Sequence, residues 1–156
     1  MAHEHQYMTE LWWEGSTGEG YEHYDRAHRV IAPPASGRLF LSSDPAFRGD
    51  RDRMNPEQLL VLAASSCQLL SFLAVAARAR IDVVRYTDDA EAIMPEEPRP
   101  MRITRITLRP VVTLGQSSAE VPDERLAQLT EIAHRECFIA NSLLTEVIVE
   151  PTFVRP

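Results

Sequence analysis

With 156 residues, 44% of them hydrophobic, the chain has the size and composition of one ordinary globular domain. Its 16 basic and 23 acidic residues leave a formal charge of −7, which argues against a nucleic-acid partner. The N-terminal stretch lacks a basic-then-apolar leader pattern, and His3, Glu4 and His5 have the wrong chemistry for one, so the cytoplasm is the expected compartment. Thiols stay reduced there, so Cys67 and Cys137 are expected to be reactive, metal-binding or inert rather than a permanent staple.

Residues 6–14 (QYMTELWWE) suit a strand, Gly15, Gly18 and Gly20 punctuate a turn, and Tyr21–Ile31 reads as a second strand, giving a hairpin. The period of two along that strand places Tyr24, Arg26 and His28 on one face. An Arg there can hold an anion or a thiolate; polar dressing on a half-exposed strand is the plainer reading. His3 and His5 sit where a frayed terminus is expected rather than a metal chelate. Pro33 and Pro34 break the hairpin, and Gly37–Ser43 (GRLFLSS) offers a short third strand. Asp44–Met54 (DPAFRGDRDRM), with Arg48, Arg51 and Arg53, reads as a loop feeding the next element.

That element organises the chain. Asn55–Arg80 opens with a capping Asn and a Pro at the first helical position, and is apolar or small from Leu59 to Ala77. A helix apolar on every side belongs in a core or a membrane. Ser65, Ser66, Gln68 and Ser71 in its centre, and amphipathic segments elsewhere, favour a soluble core helix.

Ile81–Met94 follows as a strand, Pro95–Pro100 as a hairpin loop, and Arg102–Leu114 (RITRITLRPVVTL) as the clearest strand. There Ile106 and Leu108 alternate with Arg105, Thr107 and Arg109, so one face is expected to be buried and the other wet. Pro110 argues for an edge position or a bulge. Pro122–Cys137 is a second helix with an apolar stripe of Leu126, Leu129, Ile132 and Ala133. Asn141 is expected to cap a short turn, and Thr145–Val154 to return as the last strand. This order is α+β, with antiparallel sheet on a long buried central helix, as a single domain over 1–156.

The residues alone leave three readings of the cysteines open. A thiolate and a second thiol can form a redox pair, in which peroxide makes a sulfenic acid that condenses to a disulfide. A metal would need Cys67, Cys137 and a His such as His134 as scattered ligands, because no C-x-x-C or H-x-x-x-H pair is present. Buried cysteines also serve as small hydrophobes.

The run NPEQLLVLAASSCQLL, followed about 70 residues later by AHRECFIANSL, resembles the OsmC/Ohr family of thiol-dependent hydroperoxide reductases. Members carry an NPE-L-L motif opening a central helix, a reactive Cys within it, and a second Cys at the end of a later helix. The SSDPAFRGD loop looks like a variant subgroup. The resemblance implies Cys67 as peroxidatic and Cys137 as resolving cysteine, with Glu57 holding an active-site arginine. Arg26 is the first choice for that arginine and Arg48 the second. Phe138 stands where a Pro is usual, and Gln68 where an aromatic is common. The resemblance further implies an intertwined homodimer, an organic hydroperoxide substrate, an external dithiol reductant and no cofactor or metal.

Ten residues separate Glu57 from Cys67, about 15 Å along a straight helix. A shared Arg–thiolate cluster therefore requires a bent helix or a Glu from a second subunit. Two other classes stand beside the peroxidase. One is a non-catalytic small-molecule binding protein with an apolar dimer-interface pocket. The other is a transferase or hydrolase using Cys67 as nucleophile and a His such as His28 as base.

Overall fold

Asn55 starts the long helix by a reciprocal cap. Its Oδ1 accepts the Gln58 N–H at 2.8 Å, and Gln58 Oε1 accepts the Asn55 N–H at 3.0 Å. In this computed structural model, which describes residues 3–156, the helix α1 spans Pro56–Arg78. It ends in a Schellman turn: Arg80 takes φ of 58°, its N–H reaches Ala77 O at 3.0 Å, and Ile81 N–H reaches Ala76 O at 2.9 Å. The chain forms two compact units, one ending at Leu59 and one running Leu60–Pro156.

The first unit holds β1 (Glu10–Trp12), β2 (His28–Ile31) and β3 (Arg38–Leu41), an antiparallel sheet in that order. The strand expected over Tyr21–Ile31 is confined to its last four residues. Arg26 is the cause. Its guanidinium lies 3.7 Å from the Tyr24 ring centroid and 4.7 Å from that of Tyr21, and it donates to both residues' carbonyls. Those carbonyls are spent on a side chain, so the segment turns instead of pairing. The loop before α1 is ordered by Asp44, whose carboxylate accepts the Ala46 N–H at 2.7 Å and the Asn55 amide at 3.3 Å. Gly49 is required in this loop, because a Cβ there would lie 1.6 Å from the Ser43 carbonyl oxygen.

The second unit packs two three-stranded sheets with α1 and α2 (Asp123–Glu136). One sheet has the order β4 (Val83–Asp88), β7 (Pro110–Leu114), β9 (Thr152–Val154); the other β5 (Glu91–Ile93), β6 (Arg105–Leu108), β8 (Glu146–Val149). Each of the three strands expected from the sequence is thus divided between the two sheets. Pro110 is the first residue of a central strand, where its missing donor is harmless, rather than part of an edge. The pairs β4–β7 and β5–β6 are antiparallel, whereas β6–β8 and β7–β9 are parallel. Thr107 is buried rather than wet.

Phe72, Val75 and Ala76 of α1 meet Val112 and Leu114 of β7 and Leu126, Leu129 and Ala133 of α2 in one core. Ala64 joins Ile103, Ile106 and Leu108 in a second. Burial within one chain covers only this stripe of α1. Leu62, Leu70 and Leu73 are 54%, 64% and 37% exposed.

Candidate functional site

The two cysteines meet. Cys67 precedes Phe72 and Val75, which engage the core, on the same helix and is half-buried; Cys137 is fully buried; both are free thiols. Cys67 lies near enough to the Cys137 thiol to influence it. Cys137 is the junction between α2 and the short α3 (Phe138–Asn141). Its N–H closes α2 on the His134 carbonyl at 3.2 Å. Asn141, expected to cap a short turn, is the last residue of α3. Its amide instead donates to the Arg135 carbonyl at 2.8 Å and the Cys137 carbonyl at 2.9 Å, tying off the end of α2.

Burial pushes the Cys137 thiol up to about 11; the neighbouring Cys67 adds to this, and the N–H groups of Ala140 and Ile139 oppose it. At neutral pH Cys137 is therefore protonated.

Cys67 lines a cavity of about 480 Å3 together with Leu70, Ala74, Arg78, Arg135 and Phe138, among others. Cys67, Ser71, Ala74 and Arg78 follow one another at i, i+4, i+7 and i+11, so they share a helix face. That spacing was readable and marks Arg78 as a cation the sequence reasoning missed. Arg78 reaches Glu136 at 3.4 Å. Arg135 is brought to the cavity by its position two residues before Cys137.

Arg26, Arg48 and Glu57 belong to the first unit. Tyr24, Arg26 and His28 do gather there, lining a cavity of about 400 Å3 with Leu11 and Trp13, but by way of the turn and not of a strand face. His28 Nδ1 contacts the Arg26 carbonyl at 2.8 Å. Arg48 pairs with Glu22. Among the described residues no ion pair joins Glu57 to either arginine. None of the described residues form a cluster of three His, Cys, Asp or Glu side chains able to hold a metal ion.

Beside the cysteines, three buried polar groups find no hydrogen-bond partner among the described residues: both ends of the Gln68 amide, the Tyr86 hydroxyl and His134 Nδ1. Leaving such a group unpaired costs about 1–3 kcal/mol. Burial pushes the Tyr86 phenol above its ordinary range, with Asp88 and Cys137 adding to the effect.

The model of the OsmC-like protein family matches residues 49–152, a span that crosses the boundary between the two units and includes both cysteines. The chain belongs to the OsmC-like family. Its fold agrees: an OsmC-like protein of unknown function from Vibrio cholerae superposes with a TM-score of 0.86 at 29% identity, over 96% of this chain and 100% of that one. Two organic hydroperoxide resistance proteins share the fold at lower identity. The one from Legionella pneumophila has 16% identity and a TM-score of 0.70 over 96% and 97% of the two chains. The one from Elizabethkingia anophelis, with thiocyanate bound, has 18% and 0.71 over the whole of both. No curated protein sequence matches the chain. For an OsmC-like protein, α1 is the expected core helix, although by length and composition alone it is long and apolar enough to cross a membrane.

Proposed function

We propose that this OsmC-like protein is a two-cysteine peroxidase that reduces organic hydroperoxides. The observation that carries the reading is the nearness of Cys137 to Cys67, whose side chain lines a cavity with Leu70, Ala74 and Phe138. The Cys67 thiolate attacks the terminal oxygen of ROOH, the O–O bond breaks, and ROH leaves with Cys67 as sulfenic acid. Cys137 then displaces water from that sulfur, forming the disulfide, and an external dithiol returns two electrons and two protons. The apolar lining favours an alkyl or lipid-like peroxide over hydrogen peroxide. The thiolate's cation is Arg78 or Arg135, on the cavity wall.

The stripe of Leu62, Leu70 and Leu73 supports a homodimer, since a row of large exposed apolar side chains on a core helix calls for a covering surface. The binding-protein reading is favoured by one observation: Arg26 and Arg48 are already engaged, by tyrosine carbonyls and by Glu22.

One experiment separates the readings. Reduced protein is mixed with cumene hydroperoxide, free thiols are counted and the intact mass is taken. Loss of both thiols and two hydrogens, abolished by Cys67→Ser, is expected of the peroxidase. Two thiols persisting in excess peroxide would leave the binding protein.

A further inference from the structure

The cavity that holds Cys67 offers two guanidinium groups to one thiol. With Arg78, Arg135 and Glu136 on its wall it carries one net positive charge, in a chain whose formal charge is −7. Arg78 stands eleven residues beyond Cys67 on α1, about 16 Å along the helix axis, whereas Arg135 lies two residues before Cys137. Among the described residues, the Arg78 side chain makes one polar contact, from Nη1 to Glu136 at 3.4 Å, and both side chains are exposed. Its Nε and Nη2 are left over, a planar pair of donors that matches a carboxylate. Between the thiol and this guanidinium the wall is hydrocarbon. Leu70 and Ala74 follow Cys67 on α1, and Phe138 of α3 lines the same space. Leu70 and Phe138 are 64% and 80% exposed, so the wall presents large apolar side chains left uncovered by the described residues.

We propose that Arg78 sets the substrate class of this cavity: it selects a hydroperoxide whose far end is a carboxylate. The peroxide lies at Cys67, the alkyl chain runs along Leu70, Ala74 and Phe138, and the carboxylate accepts from Nε and Nη2 of Arg78. The peroxide end rests on the peroxidase reading; the acid end does not. Arg135 is then the cation left for the thiolate. Helical side chains lean toward the N-terminus, so the Arg78 guanidinium reaches back over Ala74 toward the thiol. Its contact with Glu136, which lines the same cavity as Cys67, has that direction. The separation still excludes an acid whose carboxylate adjoins its peroxide, since one end would be out of reach. Glu136 competes with the substrate for Arg78, but an exposed ion pair is weak and is readily exchanged for a carboxylate whose chain is also held by apolar contact.

The first measurement is kcat/KM of the full chain, with dithiothreitol as reductant, for 8-hydroperoxyoctanoic acid and for its methyl ester. The acid is expected to be favoured at least tenfold, through KM. Arg78→Gln is expected to bring the two within twofold of each other, and Arg78→Glu to favour the ester. Glu136→Gln, which frees the guanidinium, is expected to lower KM for the acid several-fold. Arg135→Gln is expected to lower kcat for acid and ester alike. Equal kcat/KM for acid and ester in the unaltered chain, or a preference that survives Arg78→Gln, would overturn the assignment. The second measurement needs no turnover. The chain carrying Cys67→Ser is titrated by calorimetry with octanoate and with octanamide, its neutral counterpart. Octanoate is expected to bind at least tenfold more tightly, and Arg78→Gln to abolish the difference. Peroxides that leave both thiols intact, in a protein that keeps this octanoate preference, would end the peroxidase reading and keep the carboxylate site. Equal binding of octanoate and octanamide would end the site.

Discussion

The two faces of α1 are dressed the wrong way round. The sealed face carries an amide with no partner, and the open face carries Leu62, Leu70 and Leu73. A helix optimised for a lone monomer would exchange them. In the proposed dimer the outer leucines would meet an apolar surface of a second copy.

The comparison can be broken at its strongest point first. Phe72→Ala on the sealed face is expected to cost about 3–5 kcal/mol in urea unfolding, because the ring is fully buried between β7 and α2 side chains. Leu70→Lys on the open face is expected to leave monomer stability within about 0.5 kcal/mol while dissociating dimers in light scattering. Equal losses for the two changes would mean that the outer stripe is a monomer core face. Gln68→Leu sharpens the contrast from the other side. Removing an unpaired buried amide is expected to raise stability by about 1–2 kcal/mol in the same denaturation assay.

A smaller effect follows from Cys137. The folded thiol is held at about 11 against an ordinary 9.0, so between those values the unfolded chain has released more protons than the folded one. Stability from this group is complete below pH 9, falls as pH rises toward 11, and Cys137→Ala is expected to flatten that slope in thermal melts. Smallest of all is Arg78→Gln. Its pair with Glu136 is exposed on both sides, so a change within about 0.5 kcal/mol is expected.

Much of this was legible in the residues. The Asn55 cap and the Pro56 start set the beginning of the helix, and the NPE and Cys motifs together pointed to the family that the chain belongs to. Local chemistry carried those signals. What escaped was decided by long-range partners. Arg102–Leu114 read as one strand, yet it divides at Arg109, because its two halves pair with different neighbours. Tyr21–Ile31 alternated like a strand, but a guanidinium claimed its carbonyls. The exposure of the outer leucines was equally hidden, since apolar residues look alike whether their cover comes from within the chain or from outside. At the site, the juxtaposition of Cys67 and Cys137 was implied by resemblance alone, whereas Arg78 could have been read from helix periodicity.

Arg109 marks a seam. Its side chain reaches Glu91 at 2.5 Å and Glu150 at 3.2 Å, and its N–H reaches Asp88 at 2.6 Å, so the three places where strands change sheet are fastened at one residue. Two of the partners precede it in the chain, but Glu150 comes near the end, beyond α2. A ribosome delivers β8 and β9 last, and β8 must travel back across 41 residues to lie beside β6. The seam therefore cannot close, and neither sheet has its third strand, until β8 and β9 have been made.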